Sequence, residues 1–187
     1  MIKNVNIKDL QIQVAIQRDE TSYKNLFMLF YKPLFQFANC LTKEPEVAEE
    51  IVSDVMMKIW EMGESLAYIK ILKIYLYKAI KNRSLNYLSR NNKYRMISLD
   101  IDDFAIDMNS YFLDPEDLLL KKELQEGMTS AIGSLPPKCQ MVYKLIRVDG
   151  LSYNEVAEIM GISVKTVDRH LNNALHRLVY SMKIYAD

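Results

Sequence analysis

The chain has 187 residues, enough for two compact domains of about 70 residues each and a linker. Half of the residues are hydrophobic and 26% are charged, with only five glycines and five prolines, which excludes disorder, collagen and many-turned β architecture. Acidic and basic residues balance at 24 each, so the overall basicity typical of many nucleic-acid-binding proteins is missing. These values predict a soluble all-α protein.

The first predicted helix contains apolar residues at every third or fourth position, namely Leu26, Phe30, Leu34, Phe37 and Leu41. Pro33 is expected to bend or divide it. A second helix should begin at Pro45, because proline suits the first turn and the glutamates that follow suit the positive end of a helix. It should end near Gly63. Its predicted buried stripe is Ala48, Ile51, Val52, Val55 and Ile59.

A third helix is predicted over residues 68–90, with one apolar face and lysines largely on the other. Charge is strongly sorted along this part of the chain. Residues 44–64 are mainly acidic, 70–95 carry only positive charge, and 100–117 carry only negative charge. The C-terminal quarter is mildly basic. Such separated basic regions indicate contact with nucleic acid at two places.

The helical pattern is lost over residues 98–114, which indicates a linker. We therefore predict helical domains at 1–95 and 116–187, joined by an acidic linker at 96–115. Asp114 and Pro115 form a helix start, and the next helix should reach about Ile132. A break at Leu135-Pro136-Pro137 precedes another helix, over about 140–148, which Gly150 ends.

The C-terminal region carries the most informative pattern. Ser152 and Glu155 have the spacing of a capping box, and a short helix should follow through Met160. Gly161-Ile162-Ser163 then predicts a tight turn before a helix from Val164 to about Tyr180. The predicted inward face is Val167, Leu171, Ala174, Leu175 and Leu178, and the predicted exposed face is Lys165, Thr166, Arg169, His170 and Asn173.

This helix, turn and helix predicts a DNA-binding helix-turn-helix, since hydrogen-bond donors on the first half of the second helix suit the major groove. Arg169 is the best candidate for a base contact. Ser163, Lys165 and Thr166 lie at the helix N-terminus, where backbone amides favour phosphate. The alternative is a surface helix with ordinary solvated charges, but the cap, turn, spacing and donors agree on DNA binding.

No pattern of a catalytic or cofactor site is present. Cys40 and Cys139 form no C-x-x-C pair, and the only histidines, His170 and His176, lie on the proposed recognition helix. There is no glycine-rich phosphate loop, metal-ligand spacing or nucleophile elbow. We therefore predict no enzyme activity, no metal and no cofactor. Lacking a signal peptide or an apolar run of membrane length, the protein is expected in the cytoplasm.

Two segments together carry a family resemblance. Residues 135–178, including Gly150-Leu151-Ser152-Tyr153-Asn154-Glu155 and Gly161-Ile162-Ser163-Val164-Lys165-Thr166-Val167, resemble region 4 of sigma-70-family factors. Residues 46–60 resemble the polymerase-binding helix of region 2, and residues 75–88 the promoter-melting helix after it. Order, spacing and size resemble the extracytoplasmic-function group, which keeps only regions 2 and 4. Ser53-Asp54 departs from the glutamine and glutamate usual there.

The resemblance implies a sigma factor that binds core RNA polymerase, recognises the −35 element of promoter DNA as a duplex and captures a melted −10 element. The residues implied for the −35 element are Ser163, Lys165, Thr166, Arg169, His170 and Asn173. Those implied for the melted −10 strand are Asn82, Arg83, Asn86, Tyr87, Arg90 and Lys93. Those implied for polymerase binding are Ile51, Asp54, Val55, Lys58 and Trp60. The last partner implied is an anti-sigma factor, commonly membrane-linked in this group.

Several alternatives stay open at this stage. Tyr87 either stacks on a base or packs within its domain, and Trp60 either anchors a partner or closes the core. The acidic linker is either a strap toward the RNA exit path or a plain connection. A LuxR-type regulator would share the helix-turn-helix but would need a sensing domain, and the first half has no βαβ pattern. A helical adaptor would not explain two donor-rich surfaces.

Overall fold

A computed structural model describes residues 6–90 and 131–184, with side chains to residue 181. These residues belong to two compact units. Every regular element within the described ranges is helical, which confirms the all-α prediction with two helical domains. The linker at 96–115 and most of the helix predicted before residue 132 lie outside the described residues. In the described part, no helix has the length and apolar character needed to cross a lipid bilayer.

Unit 1 is built around a long central helix. Its elements are α1 (Ile7–Ile12), a π-helical turn (Gln13–Gln17), α2 (Glu20–Thr42), α3 (Pro45–Glu61), a 3-10 helix (Gly63–Tyr68) and α4 (Leu72–Arg90). The predicted start of the second helix at Pro45 is confirmed. The segment 7–17 is helical although its sequence gave no prediction of a helix.

The helix α2 is not divided at Pro33. Proline removes one backbone hydrogen bond from a helix, but Phe30, Leu34 and Phe37 are buried on both sides of it, and their packing holds the helix continuous through Pro33. The side chain of Asp19 caps the start by accepting the Ser22 backbone N–H at 2.8 Å. Hydrogen bonds from Ser22 lower the pKa of this carboxyl below its ordinary value of 3.8.

The core of unit 1 lies where α3 and α4 pack on α2. The rings of Phe37 and Tyr77 meet there with centroids 5.1 Å apart and an interplanar angle of 56°. The apolar stripe predicted for α3 is confirmed as buried. The other large side chains that are fully buried in unit 1 are Leu26, Leu34, Leu41, Met56, Ile59, Leu66, Leu76 and Ile80.

Unit 2 contains the predicted helix-turn-helix. Its elements are α5 (Pro137–Tyr143), a π-helical turn (Lys144–Val148), α6 (Tyr153–Met160) and α7 (Val164–Ile184). Beneath the π-helical turn, the ammonium of Lys144 meets the Asp149 carboxylate at 2.6 Å. Both side chains are almost completely buried, at 0% and 2% exposed. This ion pair closes the turn that leads into Gly150, where φ is +64°.

The local signals at α6 and α7 are confirmed. The backbone N–H of Ser152 donates to the Glu155 carboxylate at 2.7 Å, and the Glu155 N–H donates back to Ser152 Oγ at 3.3 Å, completing the capping box. Gly161 ends α6 with φ +75°. On α7, Val167, Leu171, Ala174 and Leu178 are buried, and Leu175 is half-buried.

Candidate nucleic-acid interface

The helix α7 presents a row of hydrogen-bond donors to solvent. Lys165, Arg169 and Asn173 are all exposed and are spaced by four residues, which aligns them along one face of the helix. Next to this row on the same helix, Asn172 Nδ2 donates a hydrogen bond to Asp168 Oδ2 at 3.2 Å. The row therefore combines two positive charges with an amide near the N-terminal half of the helix.

The two hydroxyls at the start of α7 are used locally. Ser163 Oγ accepts the Thr166 backbone N–H at 3.1 Å and lies 2.8 Å from Thr166 Oγ1. Ser163 is therefore the N-cap of α7, as its sequence position predicted. Thr166 is half-buried, whereas Ser163 remains exposed.

His170 does not lie with the exposed row. Its ring is half-buried, and Nδ1 lies 3.5 Å from Cys139 Sγ of α5. His170 is therefore less exposed than the residues of the row, and its contact with DNA stays a prediction. Six residues were named for duplex DNA. Lys165, Arg169, Asn173 and the capping Ser163 are exposed, whereas Thr166 and His170 are half-buried.

The helix α4 presents a second row in unit 1. Asn82, Asn86 and Arg90 are exposed and again spaced by four residues. The opposite side of α4 is buried through Leu76, Ile80 and other apolar residues. The row thus offers two amides and one guanidinium. Lys93, which was named with them, lies outside the described residues.

Lysines on α4 add positive potential to this unit. Lys81 is half-buried, and its pKa is lowered from the ordinary 10.5 first by burial and second by the neighbouring charge of Lys78. The helix α4 itself contains no acidic residue, so its lysines and arginines give this part of unit 1 a basic character.

Arg83 links α4 to α3. Its guanidinium forms an ion pair with the Asp54 carboxylate, and both side chains are about half exposed, at 42% and 50%. A pair of this exposure contributes only about 0–1 kcal/mol to stability. The pair matters for position, because it joins Arg83, which was named for the melted strand, to Asp54, which was named for polymerase binding.

Tyr87 is half-buried, and its hydroxyl donates to Glu44 Oε2 at 3.1 Å. Glu44 is the residue directly before α3. This contact favours the alternative in which Tyr87 packs within its own domain rather than stacking on a base.

Two of the five residues named for polymerase binding are in the core. Ile51 is 7% exposed and Val55 is 2% exposed, so the interpretation of these side chains as partner contacts is wrong. They belong to the apolar stripe by which α3 packs on its unit. Asp54 and Lys58 are exposed on the other side, and Lys58 pairs with Glu61 at 3.6 Å.

The sequence analysis missed Met57, which is 57% exposed on the same side of α3. Helical spacing alone identifies it, because Met57 lies one turn after Asp54 and on the face away from Val55 and Ile59. A large apolar side chain left in solvent between charged residues is typical of a protein contact.

Trp60 closes its own unit. Its ring packs on Tyr23 with centroids 5.0 Å apart, and the Arg18 guanidinium carbon lies 4.1 Å above the ring centroid. Arg18 also donates a hydrogen bond to the Trp60 carbonyl. Burial raises the pKa of Tyr23. The core alternative for Trp60 is therefore the one that its contacts favour.

Within residues 6–90 and 131–184, no group of three or more His, Cys, Asp or Glu side chains is placed to hold a metal ion. Cys40 and Cys139 are both buried thiols outside any disulfide.

Comparison with known families matches both halves of the chain. Residues 26–94 match the model of Sigma-70 region 2, and residues 125–178 match the model of Sigma-70, region 4. The first match includes the α4 row and the second includes the α7 row. Between them, the two models cover most of the chain in the order that the sequence predicted.

Curated relatives match over nearly their full length. The ECF RNA polymerase sigma-E factor of Escherichia coli strain K12 is 27% identical over 172 residues, covering 86% of this chain and 88% of that protein. The same factor of Salmonella typhimurium strain LT2 gives equal values. RNA polymerase sigma factor YlaC of Bacillus subtilis strain 168 is 24% identical over 162 residues, covering 87% and 90%.

Solved structures share the fold. CnrH, in complex with the cytosolic domain of CnrY, has a TM-score of 0.62 at 16% identity and covers 96% of this chain and 99% of its own. The sigma factor RpoE of Bartonella quintana, in complex with the anti-sigma factor NepR, has a TM-score of 0.61 at 22% identity, with 87% and 97% covered.

The chain therefore belongs to the sigma-70 family of RNA polymerase sigma factors. Within that family it is a factor of the extracytoplasmic-function group, as the sigma-E and YlaC relatives indicate. Such a protein has no enzyme activity of its own and directs transcription initiation by RNA polymerase at promoters.

Proposed function

We propose that this sigma factor divides promoter recognition between its two donor rows. In unit 2, Lys165, Arg169 and Asn173 of α7 face the major groove of a −35 duplex. In unit 1, Asn82, Asn86 and Arg90 of α4 hold the melted −10 strand. The observation that carries the proposal is the presence of one exposed donor row in each half matched by the family.

The chemistry of the two rows differs as their targets differ. Arginine donates two parallel hydrogen bonds to the O6 and N7 atoms of guanine in the major groove, so Arg169 reads sequence. Lys165, one turn earlier, neutralises phosphate and adds affinity without reading sequence. Asparagine both donates and accepts hydrogen bonds, which suits Asn82 and Asn86 to the edge of an extruded base.

Capture of an unpaired base needs no catalytic group. Extruding a base costs a few kcal/mol, and a surface that binds only the extruded base lowers the free energy of the melted state by what it gains in contact. Arg90 lies on the same face and follows the phosphates of the strand. Promoter opening is therefore driven by differential binding of the single strand.

For polymerase binding we propose the exposed face of α3, consisting of Asp54, Met57 and Lys58. Met57 supplies the apolar contact and the two charges supply orientation. Ile51 and Val55 support this face from the core. Asp54 is paired with Arg83 of α4. Polymerase contact at Asp54 would therefore act, through Arg83, on the helix that holds the melted strand.

Two further features belong to the proposal. The solved relatives include one sigma factor bound to the anti-sigma factor NepR and one bound to the cytosolic domain of CnrY, and we propose an anti-sigma factor as a partner of this chain too. We also place the action of this sigma factor in the cytoplasm, where RNA polymerase transcribes. The domain limits 1–95, 96–115 and 116–187 remain part of the same proposal.

The deciding experiment combines the purified full chain with bacterial core RNA polymerase and a pool of randomised promoter DNA. We expect a one-to-one complex that starts transcription on a selected subset of the pool. Asn82→Ala should leave duplex binding by the holoenzyme intact and reduce permanganate reactivity of the melted strand. Duplex binding without polymerase association would contradict the proposal and favour a LuxR-type regulator.

A further inference from the structure

The N-terminal helix holds a distant loop by its backbone. Gln11 Nε2 donates to the carbonyl oxygens of Leu66 at 2.6 Å and Ile69 at 2.9 Å. Lys8 Nζ donates to the carbonyl oxygens of Ala67 and Ile69, both at 3.1 Å. Two side chains of α1 thus bind three carbonyls that lie more than fifty residues further along the chain.

These carbonyls lie at the C-terminal end of the 3-10 helix Gly63–Tyr68, where the last carbonyls of a helix run out of N–H donors within the helix. The Leu66 carbonyl also accepts the Ile69 backbone N–H at 3.2 Å, so the Gln11 amide is its second donor. An ammonium at this end also complements the helix dipole. Lys8 Nζ lies 3.4 Å from Gln11 Oε1, so the two donors also hold each other in place.

Gln11 is specialised for this contact. Its side chain is 1% exposed although it is polar. A buried amide that lost its acceptors would be strongly destabilising, so its position depends on the loop carbonyls. The dependence is mutual, since the loop in turn has few other contacts through its side chains.

The loop over residues 63–71 has one fully buried side chain, Leu66, whereas Gly63, Ala67 and Ile69 are half-buried. The exposed residues of the loop are Glu64, Ser65, Tyr68, Lys70 and Ile71. The carbonyl contacts add to this limited packing at the point where the chain leaves the 3-10 helix. The helix α4 begins at Leu72, shortly after the last of these carbonyls, so the contacts constrain its start.

We infer that Lys8 and Gln11 are positioning residues for promoter opening: by holding the carbonyls of residues 66, 67 and 69, they fix the start of α4 relative to α3. The strand-holding row of α4 is thereby placed against the polymerase-binding face of α3. This inference rests on the proposed roles of those two faces. Neither residue touches DNA or polymerase in this mechanism.

Lys8→Met is the test, with Lys8→Arg as its matched control. Lys8 is exposed, so replacing it removes two hydrogen bonds to the loop without opening a cavity in the core. Arginine keeps donors at the same place. Gln11→Leu, which removes the other donor at similar side-chain size, is the stronger variant, and Lys8→Met decides the matter by itself if Gln11→Leu does not fold.

Three quantities are measured on full-length protein. Hydrogen exchange of the amides in 66–72 should be about tenfold faster in Lys8→Met, since hydrogen bonds from a charged donor are lost. Affinity for core polymerase should be unchanged. Permanganate reactivity of the −10 thymines in the holoenzyme complex should develop several-fold more slowly. Lys8→Arg should behave as the wild type in all three.

The outcomes separate this inference from the proposed function. A wild-type holoenzyme that never opens a promoter would refute the proposed function itself. If the wild type opens promoters and Lys8→Met opens them equally fast, the positioning role is wrong and the proposed function stands. Unchanged exchange of the loop in Lys8→Met would also overturn the inference. A parallel loss of polymerase affinity would show a general structural role instead.

Discussion

Arg169 is the side chain of unit 2 to which the proposed function assigns sequence reading. It is exposed in the middle of the α7 row, where arginine pairs with guanine through two hydrogen bonds. We expect Arg169→Ala to reduce discrimination between the preferred −35 sequence and one with a single base changed by about 1–3 kcal/mol. Competition binding of the holoenzyme to the two duplexes measures this.

Lys165→Ala is the matched control for that measurement. Because it removes a phosphate contact, it should weaken both duplexes alike and lower the slope of log affinity against log salt by about 0.9. Equal discrimination in Arg169→Ala and the wild type would remove Arg169 from the base contacts.

The buried ion pair in unit 2 carries a second prediction at this scale. Lys144→Met leaves the Asp149 carboxylate buried without its ammonium partner, a kind of change that costs about 3–5 kcal/mol of unfolding free energy. Urea denaturation followed by circular dichroism measures the loss. Lys144→Met combined with Asp149→Asn should recover part of it, since the second substitution removes the charge. A cost below about 1 kcal/mol for Lys144→Met would show that the pair is dispensable.

At the scale of single elements, the turn before α7 depends on the backbone conformation of one glycine. Gly161 has φ +75°, and a Cβ placed there would meet no atom within 4 Å. The cost of Gly161→Ala is therefore conformational alone, about 1–2 kcal/mol, and should lower the melting temperature of the protein. A melting temperature equal to that of the wild type would contradict this account of the turn.

Gly133→Ala is the matched control. A Cβ at Gly133 also meets nothing within 4 Å, but its φ is not in the left-handed region. Since residue 133 is helical, alanine should be neutral or stabilising there by up to about 1 kcal/mol. Differential scanning calorimetry of the two variants separates backbone strain from the mere addition of a methyl group.

Elements with local signals were predictable from sequence. Pro45 and the Ser152–Glu155 capping box each act within a few residues, so they placed α3 and α6 correctly. The helical segment 7–17 was missed because Lys8 and Gln11 within it bind loop carbonyls that are distant in sequence. A helix defined by such contacts leaves only a weak pattern along the chain.

The candidate site was predictable in outline, but two side chains named for polymerase are buried. Family resemblance names positions on a helix, but it does not say which side chains that helix buries. Ile51 and Val55 fell on the apolar stripe, and periodicity alone already placed them there. The half-burial of His170 could not be predicted in this way, because its ring lies against a thiol on another helix, which no spacing rule along α7 contains.

At the scale of the whole molecule, the proposed function assigns the two donor rows to different stages of initiation. In that proposal the α7 row binds duplex DNA, and the α4 row gains contact only when the strands separate. We therefore expect a promoter with a mismatched, already open −10 region to reduce the defect of Asn82→Ala, because the unpairing cost has been removed from the template. The defect of Arg169→Ala should persist on that template.

Initiation rates on matched pairs of closed and pre-opened promoters give the measurement. Rescue of Arg169→Ala by the open template to the same degree as Asn82→Ala would mean that the two rows do not act at separate stages. Persistence of the full Asn82→Ala defect would mean that Asn82 contributes after the strands have separated.

The way in which α1 holds the 63–71 loop makes the domain tolerant of sequence change there. Lys8 and Gln11 bind carbonyl oxygens, and every amino acid carries one, so this anchorage does not depend on which side chains the loop displays. Leu66, which is buried, and Gly63, with φ +50°, are the positions most closely tied to their residue types. The exposed positions can be exchanged while the scaffold stays in place, in the way that antibody loops vary on a constant framework.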